Sequence, residues 1–149
     1  MNKRGFEVVT AFKQEKVNLP TRKTCQSAGY DFESVENVLI DVKSRKLIKT
    51  GIKAYMQEDE VLKLYIRSSL AYKKGLMLAN GVGIIDADYY NNQDNEGHIM
   101  VLVYNPTAVP IEINKNDRIA QGIFEKYLSA DKSDTKQKRT GGFGSTGHN

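Results

Sequence analysis

Apolar residues fall in short bursts along this chain, each a few positions long and separated by polar turns. Residues 6–12 (Phe-Glu-Val-Val-Thr-Ala-Phe) are β-branched and aromatic and predict a first strand. Residues 13–27 are polar, contain Pro20 and read as a connecting loop. A short strand follows at 28–32, where Tyr30 and Phe32 bracket Asp31. Two brief runs, 38–42 and 47–52, flank the polar turn 43–46, and 61–66 predicts the next strand. Residues 99–104 are apolar without a break, the pattern expected of a strand buried on both faces. After them 109–113 alternates, 114–117 turns, and 118–124 gives a last strand. Strands this short, with a turn roughly every ten residues, predict an all-β sandwich or barrel. No internal repeat is visible.

One segment breaks the β pattern. In residues 67–75 (Arg-Ser-Ser-Leu-Ala-Tyr-Lys-Lys-Gly) a serine is placed to cap a helix. Lys73 and Lys74 suit its negative end, and Gly75 suits a left-handed stop. Such a helix lasts a turn or two. Free N–H groups at its start, beside Arg67 and the serine hydroxyls, make an anion site; an ordinary capped surface turn is the other reading. At 149 residues the chain fits one domain with a real core. A net charge of +4 with dispersed basic residues favours a polyanionic ligand, but there is no basic stripe or recognition helix for duplex nucleic acid. No apolar stretch reaches transmembrane length, and 1–4 lead into no signal region. Cys25 is the single cysteine, which excludes an intrachain disulfide and a cysteine-rich metal site and points to the cytoplasm.

The densest chemistry lies at 80–90 (Asn-Gly-Val-Gly-Ile-Ile-Asp-Ala-Asp-Tyr-Tyr). Gly81 and Gly83 permit a tight turn and close approach of main chain to a ligand, Ile84 and Ile85 are expected to pin the turn to a core, and Asp86 follows as a fixed acid. A hairpin with an acidic, exposed far strand is the alternative reading of the same residues. Residues 129–139 hold almost nothing apolar and cannot offset their own ordering entropy. They end in Arg139-Thr140-Gly141-Gly142-Phe143-Gly144-Ser145-Thr146-Gly147, which reads either as a glycine-serine linker or as an arm. The arm reading has more chemistry behind it: an arginine for phosphate, glycine N–H groups to wrap it, and a ring to stack on a base.

Five segments in order, Ala28-Gly29-Tyr30-Asp31-Phe32, Arg67-Ser68-Ser69-Leu70-Ala71 running to Gly75, 80–89, Asp117-Arg118-Ile119-Ala120-Gln121 and 139–147, resemble the motifs of the trimeric deoxyuridine triphosphatase (dUTPase) family. The resemblance implies a β jelly-roll with one short helix, residues 1–128, and a flexible C-terminal arm, residues 129–149. It also implies a homotrimer in which the arm of one subunit closes over a pocket made by the other two. The implied reaction is hydrolysis of dUTP to dUMP and pyrophosphate, with Mg²⁺ carried on the triphosphate. That activity limits uracil in DNA and supplies dUMP for thymidylate synthesis.

By the same resemblance, Asp86 is the general base for the water that attacks the α-phosphorus. Ser68 lies near the scissile bridge, and Arg67, Ser68, Ser69, Gln121, Arg139, Gly144, Ser145 and Thr146 hold phosphate. Asn80, Gly83, Ile85, Asp86, Tyr89 and Phe143 surround uracil and deoxyribose, with Tyr89 leaving no room for a 2′-hydroxyl. Asp31 reaches the metal through water. The chain departs from the pattern in four places. Loop 91–97 is longer and more polar than the usual short turn, Ile66 and Ser69 replace a proline and a glycine, and the arm is one residue tighter after Arg139. His98, lacking a ligand partner at useful spacing, reads as strand surface, and His148 likewise has none. Two rivals stand beside the hydrolase. A dCTP deaminase would use a glutamate in place of Asp86 and need no glycine-rich arm. A regulatory protein on the same scaffold would engage a protein partner through 91–97.

Overall fold

The computed structural model describes residues 1–132 and 136–144. In chain order the strands are β1 (Gly5–Val8), β2 (Thr21–Arg22), β3 (Tyr30–Glu33), β4 (Val38–Ile40), β5 (Arg45–Tyr55), β6 (Glu60–Ile66), β7 (Met77–Leu78), β8 (Gly83–Asp86), β9 (Ile99–Tyr104), β10 (Ile111–Ile113) and β11 (Arg118–Lys126). Helix α1 (Ser68–Lys74) joins β6 to β7, and short 3-10 turns occupy Thr10–Phe12 and Ala87–Tyr89. Every strand pairing is antiparallel. The strands form three sheets, ordered β1-β5-β9-β7, β10-β4 and β2-β3-β11-β6-β8.

These sheets remain open rather than closing into a barrel, because β8, β7, β1 and β2 end their sheets with one edge unpaired by another strand. Between them lie two apolar clusters. One gathers Ile40, Ile48, Leu76, Val101, Val103, Ile113 and Ile119. The other gathers Phe32, Ile52, Leu62, Leu64 and Ile99, with Phe6 packed edge-on to Phe32 at 5.4 Å between ring centroids. No helix among the described residues is long and apolar enough to cross a membrane.

Several local expectations change in the fold. The first strand stops at Val8, and the chain then turns through Thr10–Phe12 instead of extending to Phe12. Within the expected loop 13–27, Thr21 and Arg22 pair with Asp31 and Tyr30; two exposed polar residues carry no periodic signal. Strand β9 is not buried on both faces. Ile99, Val101 and Val103 point into the core, while Met100, Leu102 and Tyr104 are half-buried. Helix α1 lacks the expected serine cap. Arg67 holds the cap position in extended backbone, no side chain caps the start, and Ser68 is the first helical residue. Its other end matches the sequence: Gly75 is left-handed at φ 70° and donates its N–H to the Ala71 carbonyl at 3.1 Å.

Candidate active site

A cavity of about 200 Å³ opens where three segments meet: the β8 hairpin, the outer face of β9 and the C-terminal arm. The hairpin is fixed from its base. Ala79 N–H donates to the Leu102 carbonyl at 2.9 Å, and Gly81 N–H to the Leu78 carbonyl at 3.1 Å, with Gly81 at φ +75°. At Gly83 a Cβ would lie 3.0 Å from the Leu64 Cβ, so glycine sets how closely β8 lies on β6. Among the described residues strand β8 pairs only with β6 and ends its sheet. Its outward N–H and C=O groups therefore remain available along the cavity rim.

Ile84 does not pin this turn. Its side chain stands out at 53% exposed, and only Ile85 packs partly against the core. Alternation along a strand sends neighbours to opposite faces, so the pair could not both face inward. Asn80, Gly83, Ile84, Ile85, Asp86 and Tyr89 line the cavity from the hairpin side. Met100 and Leu102 line it from β9, which accounts for an apolar run on a strand with only one face in the core.

Tyr89 closes the 3-10 turn after Asp86 and is buried. Its hydroxyl donates to the His98 carbonyl at 2.7 Å and accepts from Asn95 Nδ2 at 2.8 Å. Burial pushes the Tyr89 phenol above its ordinary pKa, against smaller opposing effects from Asn95 and Arg139, and it stays un-ionised. From the arm come Arg139, Gly142, Phe143 and Gly144. Arg139 bridges two carboxylates, with Nη2 at 2.7 Å from Asp86 Oδ2 and Nε at 2.9 Å from Asp88 Oδ1. Its guanidinium lies 5.7 Å from the Tyr89 ring centroid. The arm here lies against the hairpin of its own chain.

A second polar cluster forms elsewhere. Asp31 sits between Arg67 (Nε at 3.7 Å) and Arg118 (Nη1 at 3.7 Å). Gln121 lies opposite Asp31 in the β11–β3 register, and its side chain fills the space that a Cβ at Gly29 would need. Ser68 and Ser69 are exposed at the start of α1, next to Arg67. Within one chain the anticipated site falls into two half-sites: Asp31, Arg67, Ser68, Ser69 and Gln121 stand outside the cavity, whereas the phosphate residues Arg139 and Gly144 line it with the hairpin set.

The dUTPase family model matches residues 15–147. A deoxyuridine 5′-triphosphate nucleotidohydrolase of Lactococcus lactis is 53% identical over 149 residues, covering 99% of both chains. The chain belongs to the dUTPase family. A Nautilia profundicola enzyme of the same name is 37% identical, over 87% of this chain and 90% of its own. The crystal structure of a Streptococcus mutans dUTPase superimposes with a TM-score of 0.81 at 46% identity, covering 85% of this chain and 98% of that one.

Of the residues that the dUTPase motifs single out, the structure brings the hairpin set together with Arg139, Phe143 and Gly144. Ser145, Thr146 and His148 lie outside the described residues. Three contributors escaped sequence reasoning: Asp88, Asp94 and Asn95. Asp88 stands two residues from Asp86 and shares Arg139 with it. Asp94 accepts the Gly142 N–H at 3.1 Å, and Asn95 holds the Tyr89 hydroxyl. The unusual length and polarity of loop 91–97 was the signal available for those two. His98 is not strand surface. Its ring packs 5.4 Å from Phe12, and Nε2 accepts the Gly51 N–H at 2.9 Å. Burial, with a smaller effect from Lys49, lowers its pKa and favours the neutral ring that this hydrogen bond requires. Cys25 is a free, exposed thiol.

Proposed function

We propose that this chain hydrolyses dUTP to dUMP and pyrophosphate by attack of water on the α-phosphorus, with Asp86 as general base. The observation that carries the reading is the cavity itself, where the free edge of β8, the Asp86 carboxylate, the buried Tyr89 ring and the arm's Arg139 and Phe143 converge. A base bound along the β8 edge meets main-chain donors and acceptors. Uracil complements such an edge, whereas cytosine, with one donor and one acceptor reversed, leaves buried groups unpaired at about 1–3 kcal/mol each. The Tyr89 ring, immobilised through its hydroxyl, excludes a 2′-hydroxyl, and Phe143 stacks on the base.

Arg67, Ser68, Ser69 and Gln121 take the phosphates, joined by Arg139, Gly144 and the two residues that follow it, Ser145 and Thr146. Ser68 stands near the scissile bridge. Negative charge grows on the leaving pyrophosphate during the reaction, so donors already in place hold the transition state more tightly than the substrate. Arg139 pairs with both Asp86 and Asp88, offsetting one of their two negative charges. On this reading it exchanges those carboxylates for phosphate oxygens when substrate binds, which frees Asp86 to orient water.

The residues around Asp31 would not hold Mg²⁺ by themselves. That carboxylate is flanked by two guanidinium groups, and no cluster of three potential ligands occurs among the described residues. An ion carried by the triphosphate and reaching Asp31 through water suits this single acid. Its chemistry there is neutralisation of phosphate charge. The separation of the two half-sites within one chain favours a jelly-roll homotrimer, in which the phosphate cluster of one subunit faces the hairpin of another and a C-terminal arm (129–149) closes the assembled site over the β-domain (1–128). A cytoplasmic location agrees with the free thiol of Cys25.

The test is pyrophosphate release with Mg²⁺ from dUTP, UTP, dCTP and dTTP offered separately. Release from dUTP alone supports the reading, ammonia from dCTP would replace it with a deaminase, and four intact nucleotides would overturn it.

A further inference from the structure

We infer that loop 91–97 is the docking bed of the arm, and that Asp94 and Asn95 are positioning residues that tie arm closure to the sugar-reading ring of Tyr89. The loop is a built object. Its Asn92 side chain is buried and donates to the Tyr89 carbonyl and to Asn95 Oδ1, both at 2.8 Å. Asn92 Oδ1 accepts the N–H groups of Asp94 and Asn95 at 2.9 and 3.1 Å. Both ends are anchored to the sheet through the buried ammonium of Lys53, which donates to Asn91 Oδ1 at 2.6 Å and to Glu96 Oε1 at 2.7 Å. A loop fixed this firmly can serve as a template.

What it presents matches the arm. Asp94 Oδ2 accepts the Gly142 N–H at 3.1 Å. Directly beside it, a Cβ at residue 142 would lie 2.8 Å from Asn95 Cγ, so any larger residue would push the Asn95 amide off its hydrogen bonds to Asn92, Tyr89 and Gly97. Asn95 in turn donates to the Tyr89 hydroxyl at 2.8 Å. One continuous path therefore runs from the arm through Asn95 to the ring that faces the sugar. With Asp94 placing residue 142, Phe143 falls over the cavity and Arg139 over Asp86. These contacts are set by residue type and loop shape, and they serve an arm from the same chain or from a neighbouring subunit alike. The inference rests on the proposed roles of the arm and of Tyr89.

The chain has no tryptophan, so Phe143→Trp supplies a single fluorescent reporter of arm docking. In the full-length Phe143→Trp protein, Asp94→Ala should shift the emission toward that of a solvated indole. It should also lower kcat for dUTP by tenfold or more, with little change in Tm. Asp94→Asn, which keeps an acceptor for the Gly142 N–H, should restore most of both. Gly142→Ala alters only the arm and should undock it with the domain intact. Asn95→Ala should in addition lower the dUTP/UTP ratio of kcat/KM. Emission and kcat unchanged in both Asp94→Ala and Gly142→Ala would overturn the inference, as would Asp94→Asn behaving like Asp94→Ala. Emission is read without turnover. A parent protein inactive on dUTP whose indole still responds to residue 94 would refute the hydrolase reading while sustaining the docking bed.

Discussion

Asp86→Asn separates chemistry from arm docking, because the two depend on this carboxylate by different amounts. In its proposed role as general base, Asp86 would contribute about 10²–10⁴-fold to turnover, equivalent to about 2.7–5.5 kcal/mol of barrier. As a partner of Arg139 it contributes far less. The carboxylate is 53% exposed, and Arg139 retains Asp88 at 2.9 Å when Asp86 is neutralised. An ion pair at such exposure is worth about 0.2–1 kcal/mol, so arm docking should weaken by no more than about fivefold. Chemistry must therefore fall much further than binding. The assay pairs single-turnover pyrophosphate release with the Kd of a non-hydrolysable dUTP analogue. The expected result is a kcat loss of at least a hundredfold beside a Kd within fivefold of the parent. A kcat loss below tenfold, or equal losses in rate and affinity, would remove Asp86 from the base role.

Ending the chain after Lys138 should leave the β-domain folded, with an unchanged thermal transition, and should reduce kcat/KM by orders of magnitude; full activity would refute arm closure. Tyr89→Ala should relax discrimination against UTP more than it slows dUTP, read as the ratio of the two kcat/KM values, and an unchanged ratio would refute sugar exclusion by the ring. The Lys53 ammonium, helped by the Thr10 N–H and hydroxyl, holds the Glu96 carboxyl down at about 2. The unfolded chain therefore takes up this proton first, and the stabilisation is complete above the ordinary carboxylate range and is lost as pH falls from about 4.5 toward 2. Tm measured across that window should drop less steeply in Glu96→Gln than in the parent; identical slopes would show that Glu96 is not the group responsible.

What the sequence disclosed and what it withheld divide along the range of the interactions. The turn at Gly81, the stop at Gly75 and the short strand through Asp31 were legible because each is decided within a few residues by backbone sterics or alternation. The cap of α1 misled, since two serines offered themselves and the chain placed Arg67 in the extended position ahead of both. Ile84 misled as well. Two adjacent isoleucines look like an anchor, but a strand sends one of them outward. The docking of residue 142 on loop 91–97 was out of reach, because the partners stand 48 positions apart and the loop's length and polarity mark it as unusual without naming what it holds. His98 was misjudged for a similar reason. Its partner is the N–H of Gly51, at a bulge in β5 that no periodicity announces.

The free edge of β8 has a consequence for inhibition and escape. A ligand that pairs with main-chain groups along residues 83–86 is held by atoms common to every amino acid. Replacing Ile84, whose side chain is half exposed at the cavity rim, would change a side chain and leave those main-chain groups where they are. Resistance by ordinary point substitution would have to displace the strand itself, and the close contact between Gly83 and Leu64 leaves little slack for that. An inhibitor leaning instead on Phe143 faces an exposed side chain that a single codon change can remove without touching the core. Durable compounds against this protein should therefore draw their selectivity from the strand edge and treat the arm as a secondary grip.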